Sequence, residues 1–237
     1  MTRSSRPSRR GIPTPYRAAT ILRWASRRLQ REYRSPRHHN KKDPLDELVF
    51  ILLSAKTAER SYLRTYEALR KRFADWFAVL DSPIGTVAAT IREGGLSVKK
   101  EWQLRSLLTE IQSGIGREGF ARIRGLSTPE AARLLAGLPG VGLKSARCVL
   151  MYSLGRKVFP VDTHCRRVMA RLGVIRFERL TDSVQDRIQE LVPPSIRYDL
   201  HVNLVAHGRA VCLARKPRCG ACVLKSRCEY FQAMIAS

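Results

Sequence analysis

Four cysteines near the C-terminal end are the strongest chemical signal in the chain. Cys212, Cys219, Cys222 and Cys228 follow C-x6-C-x2-C-x5-C within 17 residues, with lysine, arginine and proline between them. Thiolates packed this closely point to a metal centre more than to disulfides. Zinc and a cubane iron–sulfur cluster both accept four cysteines. Zinc sites usually pair two short-spaced cysteine knuckles. Here only Cys219 and Cys222 form one, which favours iron–sulfur. Cys148 and Cys165 stand apart and read as buried structural thiols. Free thiols beside a cluster imply a reducing compartment.

The second candidate is a lysine. In Leu138-Pro139-Gly140-Val141-Gly142, two glycines let the backbone turn tightly and leave N–H groups open to close approach. A helix over 143–154 follows, burying Ala146, Val149, Leu150 and Leu154 and stopping at Gly155. Gly140, Val141 and Gly142 thus bring amides to a helix start, where a phosphate binds readily. Lys144 falls in the first turn of that helix. The helix dipole disfavours a cation there and helps an amine become neutral, as a nucleophile must be. The alternative is an ordinary helix–helix turn with a solvated lysine. Eighteen residues on, in the extended stretch Val158–Cys165, Asp162 stands just before a helix. It reads as an N-cap, as a carboxylate able to move a proton or stabilise a cation, or as both.

These groups need elements to hold them, and the periodicity is helical throughout. Ile21, Leu22, Ala25 and Leu29 recur at helical spacing over 16–33, with Arg23, Arg27, Arg28 and Arg31 interleaved. Asp43 is a candidate N-cap with Pro44 at the first helical position. The apolar run Leu48–Leu53 is broken by Ser54-Ala55-Lys56-Thr57, and a further helix carries Leu63, Tyr66 and Leu69. Ser82-Pro83, Gly94-Gly95, Gly114–Gly119 and Ser127-Thr128-Pro129-Glu130 separate the helices that follow. No strand pair and no internal repeat stands out, so the expected fold class is all-α.

Charge narrows the partners. The 237 residues carry 44 lysines and arginines and a net charge of +24. Half of that excess lies in residues 1–42, which hold 11 arginines, two lysines and one acid, Glu32. A polyanion such as nucleic acid is the natural partner. No apolar stretch is long enough for a membrane span, so a soluble protein with no membrane partner is expected. Residues 1–15 read as a disordered basic arm that binds nucleic acid, adds solubility, or serves as an organelle-targeting segment. Otherwise a cytoplasmic, nucleoid-associated location is expected for a bacterial source.

Taken together, L-P-G-V-G-x-K-S-A, V-D-T-H eighteen residues beyond the lysine, and the four-cysteine pattern resemble endonuclease III, a helix–hairpin–helix DNA glycosylase family with an iron–sulfur loop. The likeness runs from about Asp43 to Phe231 and includes "FILLSAK" and "HGRAVCLARKPRCGACVLKSRCEY". The resemblance implies two helical domains with a DNA-binding cleft between them. One is a six-helix barrel with the hairpin, over 43–157; the other joins 16–42 to 158–237 and holds the cluster loop. It implies Lys144 and Asp162 as catalytic residues and Cys212, Cys219, Cys222 and Cys228 as ligands of a 4Fe–4S cluster. The cluster would be structural, with Arg215, Lys216, Arg218, Lys225 and Arg227 of its loop contacting phosphates. The implied activity is that of a DNA glycosylase and AP lyase, a monomer acting on duplex DNA with damaged bases or abasic sites.

The chain also departs from the family pattern. Lys56 replaces the glutamine that fills the gap left by a flipped base. The loop carrying Leu96, the expected wedge, differs beyond its Gly-Leu. "GLKSARCVL" and "VFPVDTHCRRVMARLG" partly resemble the plant 5-methylcytosine glycosylases. Oxidised pyrimidines are the default substrate, and another modified pyrimidine is the alternative. Adenine glycosylases of the superfamily lack the lysine. A non-catalytic iron–sulfur DNA-binding or redox-sensing protein is the competing class, and the Lys144–Asp162 pair weighs against it.

Overall fold

The computed structural model describes residues 14–176 and 179–236. The expected arm over 1–15 therefore lies outside the described residues except for Thr14 and Pro15. Among the described residues the regular structure is helical, without strands. No helix there is long and apolar enough to cross a membrane.

The chain divides into two units, one of His39–Arg156 and one of Met1–His38 with Lys157–Ser237. The sequence placed the first boundary after residue 42. Residues 40 and 41 belong with the helix that follows because the Asn40 side chain and the Lys41 amide both donate to the Glu47 carboxylate.

The first helix, α1 (Pro15–Tyr33), starts where the Thr14 hydroxyl accepts from the Arg17 amide. It buries Ala18, Leu22, Ala25 and Leu29 on one side and leaves Arg23, Arg27, Arg28 and Arg31 exposed. Each buried leucine contributes about 1.5–3 kcal/mol over an exposed one.

The unit His39–Arg156 contains α2 (Pro44–Ser54), α3 (Glu59–Arg72), α4 (Ala78–Asp81), α5 (Thr86–Thr90), α6 (Ser97–Glu110), α7 (Arg117–Ala121), α8 (Thr128–Ala136) and α9 (Leu143–Tyr152). Those are eight α-helices, three of them of five residues or fewer, with short 3-10 and π turns between some of them. Asp43 caps α2 by accepting from the amides of Leu45 and Asp46. Ser127 and Glu130 form a reciprocal capping box at the start of α8. Helix α2 packs on α3, α6 and α9, and α8 packs on α9. Leu53, Leu69, Leu104, Ile111 and Leu135 are among the fully buried side chains at their centre.

In the other unit the chain continues through α10 (Thr163–Arg171), α11 (Asp182–Leu191), α12 (Arg197–Ala210) and α13 (Glu229–Ile235). Helix α12 packs against both α1 and α10. Phe159, Met169, Leu200 and Leu204 join the buried face of α1 in one core. The N-terminal helix and the C-terminal third therefore share a hydrophobic interior, which explains why segments so distant in sequence form one unit.

Candidate functional site

The hairpin between α8 and α9 is built from local bonds. The Leu138 side chain is buried, and its carbonyl accepts from the Val141 amide at 3.1 Å. Gly140 has φ +76°, a conformation that a side chain rarely adopts. Gly142 differs from the sequence expectation: its φ is −81°, so the turn does not require glycine there. A Cβ at either position would meet nothing within 4 Å, so this backbone is open to approach. Gly142 is the N-cap of α9 and offers no capping side chain, leaving the first-turn amides to be satisfied from outside the helix.

Helix α9 ends at Tyr152 rather than at 154, with Ser153 as its C-cap and Leu154 half-buried beyond it. The Arg156 amide closes the end by donating to the Leu150 carbonyl at 2.7 Å. Ala146, Val149 and Leu150 are buried as expected, and Cys148 is buried with them. Lys144 is half-buried in the first turn.

A carboxylate lies within electrostatic reach of Lys144. Glu47 on α2 is 0% exposed and accepts from Asn40 Nδ2 at 2.5 Å and the Lys41 amide at 2.6 Å. Burial pushes its pKa up to about 7, while those two bonds and the charges of Lys144 and Lys41 favour the ionised form. This acid was missed in the sequence. The available signal was its position between Pro44 and Phe50, three residues from each, on the buried stripe of α2.

Asp162 lies in the other unit as the N-cap of α10, its Oδ1 accepting from the Cys165 amide at 2.7 Å. The stretch before it is anchored on both sides. The Phe159 amide donates to Gln189 Oε1 at 2.8 Å, and the Pro160 carbonyl lies 3.0 Å from the buried His201 ring. His201 also contacts Cys165 Sγ at 3.4 Å, and Cys165 is fully buried. Burial lowers the pKa of His164, and the charge of Asp162 opposes that shift. The His164 ring stacks against Gly208, where a Cβ would approach to 2.7 Å, so the Gly of the His-Gly-Arg triplet makes room for it.

Lys56 and Leu96 occupy two turns of the unit His39–Arg156. Both are exposed, Leu96 at 53%, and both have positive φ, +53° and +52°.

The four cysteines line one pocket together with Arg171, Val211 and Phe231. Among the described residues no three His, Cys, Asp or Glu side chains converge as a single ion would require. Several N–H groups aim at the sulfurs. Arg171 donates to Cys212 Sγ at 3.2 Å and the Leu224 amide to Cys222 Sγ at 3.4 Å. His207 Nε2 is also 3.4 Å from Cys222 Sγ, and its Nδ1 is 3.0 Å from the Tyr33 hydroxyl. Burial lowers the His207 pKa to about 4 and raises that of Tyr33 to about 12, so both are neutral at pH 7. A hydroxyl donating to Nδ1 leaves the proton on Nε2, which then donates to the sulfur. Such N–H donors favour the thiolate that iron binds, against a burial that pushes the Cys222 thiol up to about 11. Arg215, Lys216, Arg218, Lys225 and Arg227 are exposed around the pocket loop.

A family model described as the iron–sulfur binding domain of endonuclease III matches residues 212–228. Endonuclease III of Escherichia coli (strain K12) is 31% identical over 81% of this chain and 86% of that protein. The DNA glycosylase/AP lyase ROS1 of Arabidopsis thaliana is 29% identical over 69% of this chain, which spans 13% of its length. Another Arabidopsis thaliana relative is 34% identical over 70% of this chain and is spanned over 56% of its length. A solved non-covalent endonuclease III–DNA complex superposes with a TM-score of 0.79 at 22% identity, covering 92% of this chain and 99% of that one.

Proposed function

Since the chain belongs to the endonuclease III family, we propose that it is a bifunctional DNA glycosylase and AP lyase that removes damaged pyrimidines from duplex DNA, acting as a monomer. The observation that carries this reading is the half-buried Lys144 opening α9 directly after an uncapped, sterically open hairpin. The hairpin amides bind a backbone phosphate, and the target nucleotide leaves the stack, most cheaply where its pair is already weakened. The neutral Lys144 amine attacks C1′ of the sugar, and the base departs with the electrons of the glycosidic bond. Opening of the sugar ring gives a Schiff base. Loss of a C2′ proton then expels the 3′ phosphate by β-elimination. Asp162 stabilises the cationic sugar and assists proton transfer.

The cofactor is a 4Fe–4S cluster, with Cys212, Cys219, Cys222 and Cys228 as the residues that would hold it. It supplies structure by cross-linking the loop that carries the basic residues 215–227. Oxidised pyrimidines are the proposed substrate. Lys56 in place of glutamine, with the likeness to ROS1, favours a second reading in which another modified pyrimidine, such as a 5-methylcytosine-type base, is removed.

Borohydride trapping on a panel of duplexes with oxidised, deaminated and methylated pyrimidines or an abasic site tests both. Wild type is expected to form a covalent adduct that Lys144→Ala does not. A wild-type protein that never traps would reject the lyase reading, and the duplex trapped fastest identifies the base.

A further inference from the structure

Lys100 lies in the opening turn of α6 and is only 3% exposed, which is unusual for a lysine. Its three N–H donors all have partners. The ammonium donates to the Leu53 carbonyl at 2.8 Å, Thr57 Oγ1 at 2.5 Å and the Gly94 carbonyl at 3.3 Å. The Thr57 hydroxyl passes the link on by donating to the Gly94 carbonyl at 2.8 Å. The Leu53 carbonyl belongs to the last turn of α2, where carbonyls lack helical partners and a cation is favoured. One ammonium therefore joins the end of α2 to the loop that precedes α6.

Each joined turn carries an exposed residue in a costly backbone conformation. Lys56 sits between Leu53 and Thr57, and Leu96 sits two residues after Gly94. Positive φ at a residue with a side chain is unfavourable and persists only where the surroundings over-determine it. Lys100 and Thr57 supply that constraint. Helix α3 adds to it, because Gly94 lies so close to Thr65 that a Cβ would approach its methyl group to 3.0 Å. The outcome is an exposed leucine and an exposed lysine on two turns that cannot shift independently. An apolar wedge beside a cation is the chemistry that inserts between base steps while holding the phosphate backbone.

We propose that Lys100 is a positioning residue that locks the turns 54–57 and 94–96 together, so that Lys56 and Leu96 meet the DNA duplex as one rigid pair. This inference rests on the proposed glycosylase and lyase reading. Lys100 itself does not touch DNA; it acts through Leu96 and Lys56.

The test compares an abasic site in duplex DNA, which must be separated from its partner strand, with the same site in single-stranded DNA. Lys100→Met keeps the buried apolar stem and deletes the ammonium. Its single-turnover cleavage of the duplex is expected to fall roughly tenfold or more, because small misplacement of positioning groups is costly. Cleavage of the single strand is expected to stay within about threefold of wild type. Leu96→Ala should show the same selective loss, and combining it with Lys100→Met should add little. Thr57→Val, which removes only the bridging hydroxyl, gives the same pattern at smaller size and serves if Lys100→Met does not fold. An unchanged ratio of duplex to single-strand cleavage in the folded variants, or losses that multiply with Leu96→Ala, overturns the inference alone. A wild-type protein that cuts neither substrate overturns the functional reading and this inference with it.

Discussion

Helices α6 and α9 each follow a glycine-containing turn, lack a side-chain N-cap and carry a lysine in the opening turn. The two lysines meet different surroundings. Lys100 is buried against a hydroxyl and two carbonyls, none of which takes up a proton near neutral pH. Lys144 is half-buried and feels a carboxylate whose own pKa is about 7. An ammonium saturated by neutral acceptors braces the backbone. Lys144 instead has an ionisable neighbour within electrostatic reach. Sequence position alone does not tell these lysines apart; their partners do.

Swapping each lysine for methionine breaks this comparison most directly. Lys144→Met is expected to cut borohydride trapping at least roughly a thousandfold, while changing the unfolding free energy by less than about 1 kcal/mol. Retained trapping would move the nucleophile elsewhere.

Glu47 separates the two sites next. Its folded pKa is raised from 4.5 to about 7, so its contribution to stability is complete below about 4.5 and is lost as pH rises through 7. Wild type should therefore lose on the order of 3 kcal/mol relative to Glu47→Gln between those two pH values, read by urea unfolding across the range. The same variant removes an anion that favours the charged form of Lys144. The acid limb of its trapping rate should move to lower pH, and a profile that stays in place would show that Glu47 does not influence the amine.

On the other side of the comparison, Lys100→Met takes the ammonium donor from the buried Leu53 carbonyl, while the Gly94 carbonyl keeps its bond from Thr57. A loss of about 2 kcal/mol is expected in urea unfolding, larger than for Lys144→Met. The reverse order would remove the distinction between bracing and reacting lysines. The smallest effect separates the hairpin glycines. Gly140→Ala should cost about 1 kcal/mol for its positive φ, and Gly142→Ala about half of that or less. Equal costs would mean that the turn constrains both.

Much of the scaffold was legible because its signals act over a few residues. Asp43 and Asp162 cap helices through amides two or three positions away, and both stood out from residue type and order. The four-cysteine spacing and the Pro-Gly-Val-Gly turn were equally local. Even there, which glycine needed positive φ became clear only from the backbone, because glycine adopts either sign.

By itself, then, the sequence determined the all-helical class, the hairpin before Lys144, the cap at Asp162 and the cysteine set. Only the tertiary structure decided which polar groups are buried together. Glu47 reaches Lys144 from another helix, Lys100 binds a carbonyl 47 positions away, and Tyr33 holds a histidine 174 positions away. Those partners are chosen by the packing of helices, and burial changes what an acid, a lysine or an imidazole does, which residue order does not record.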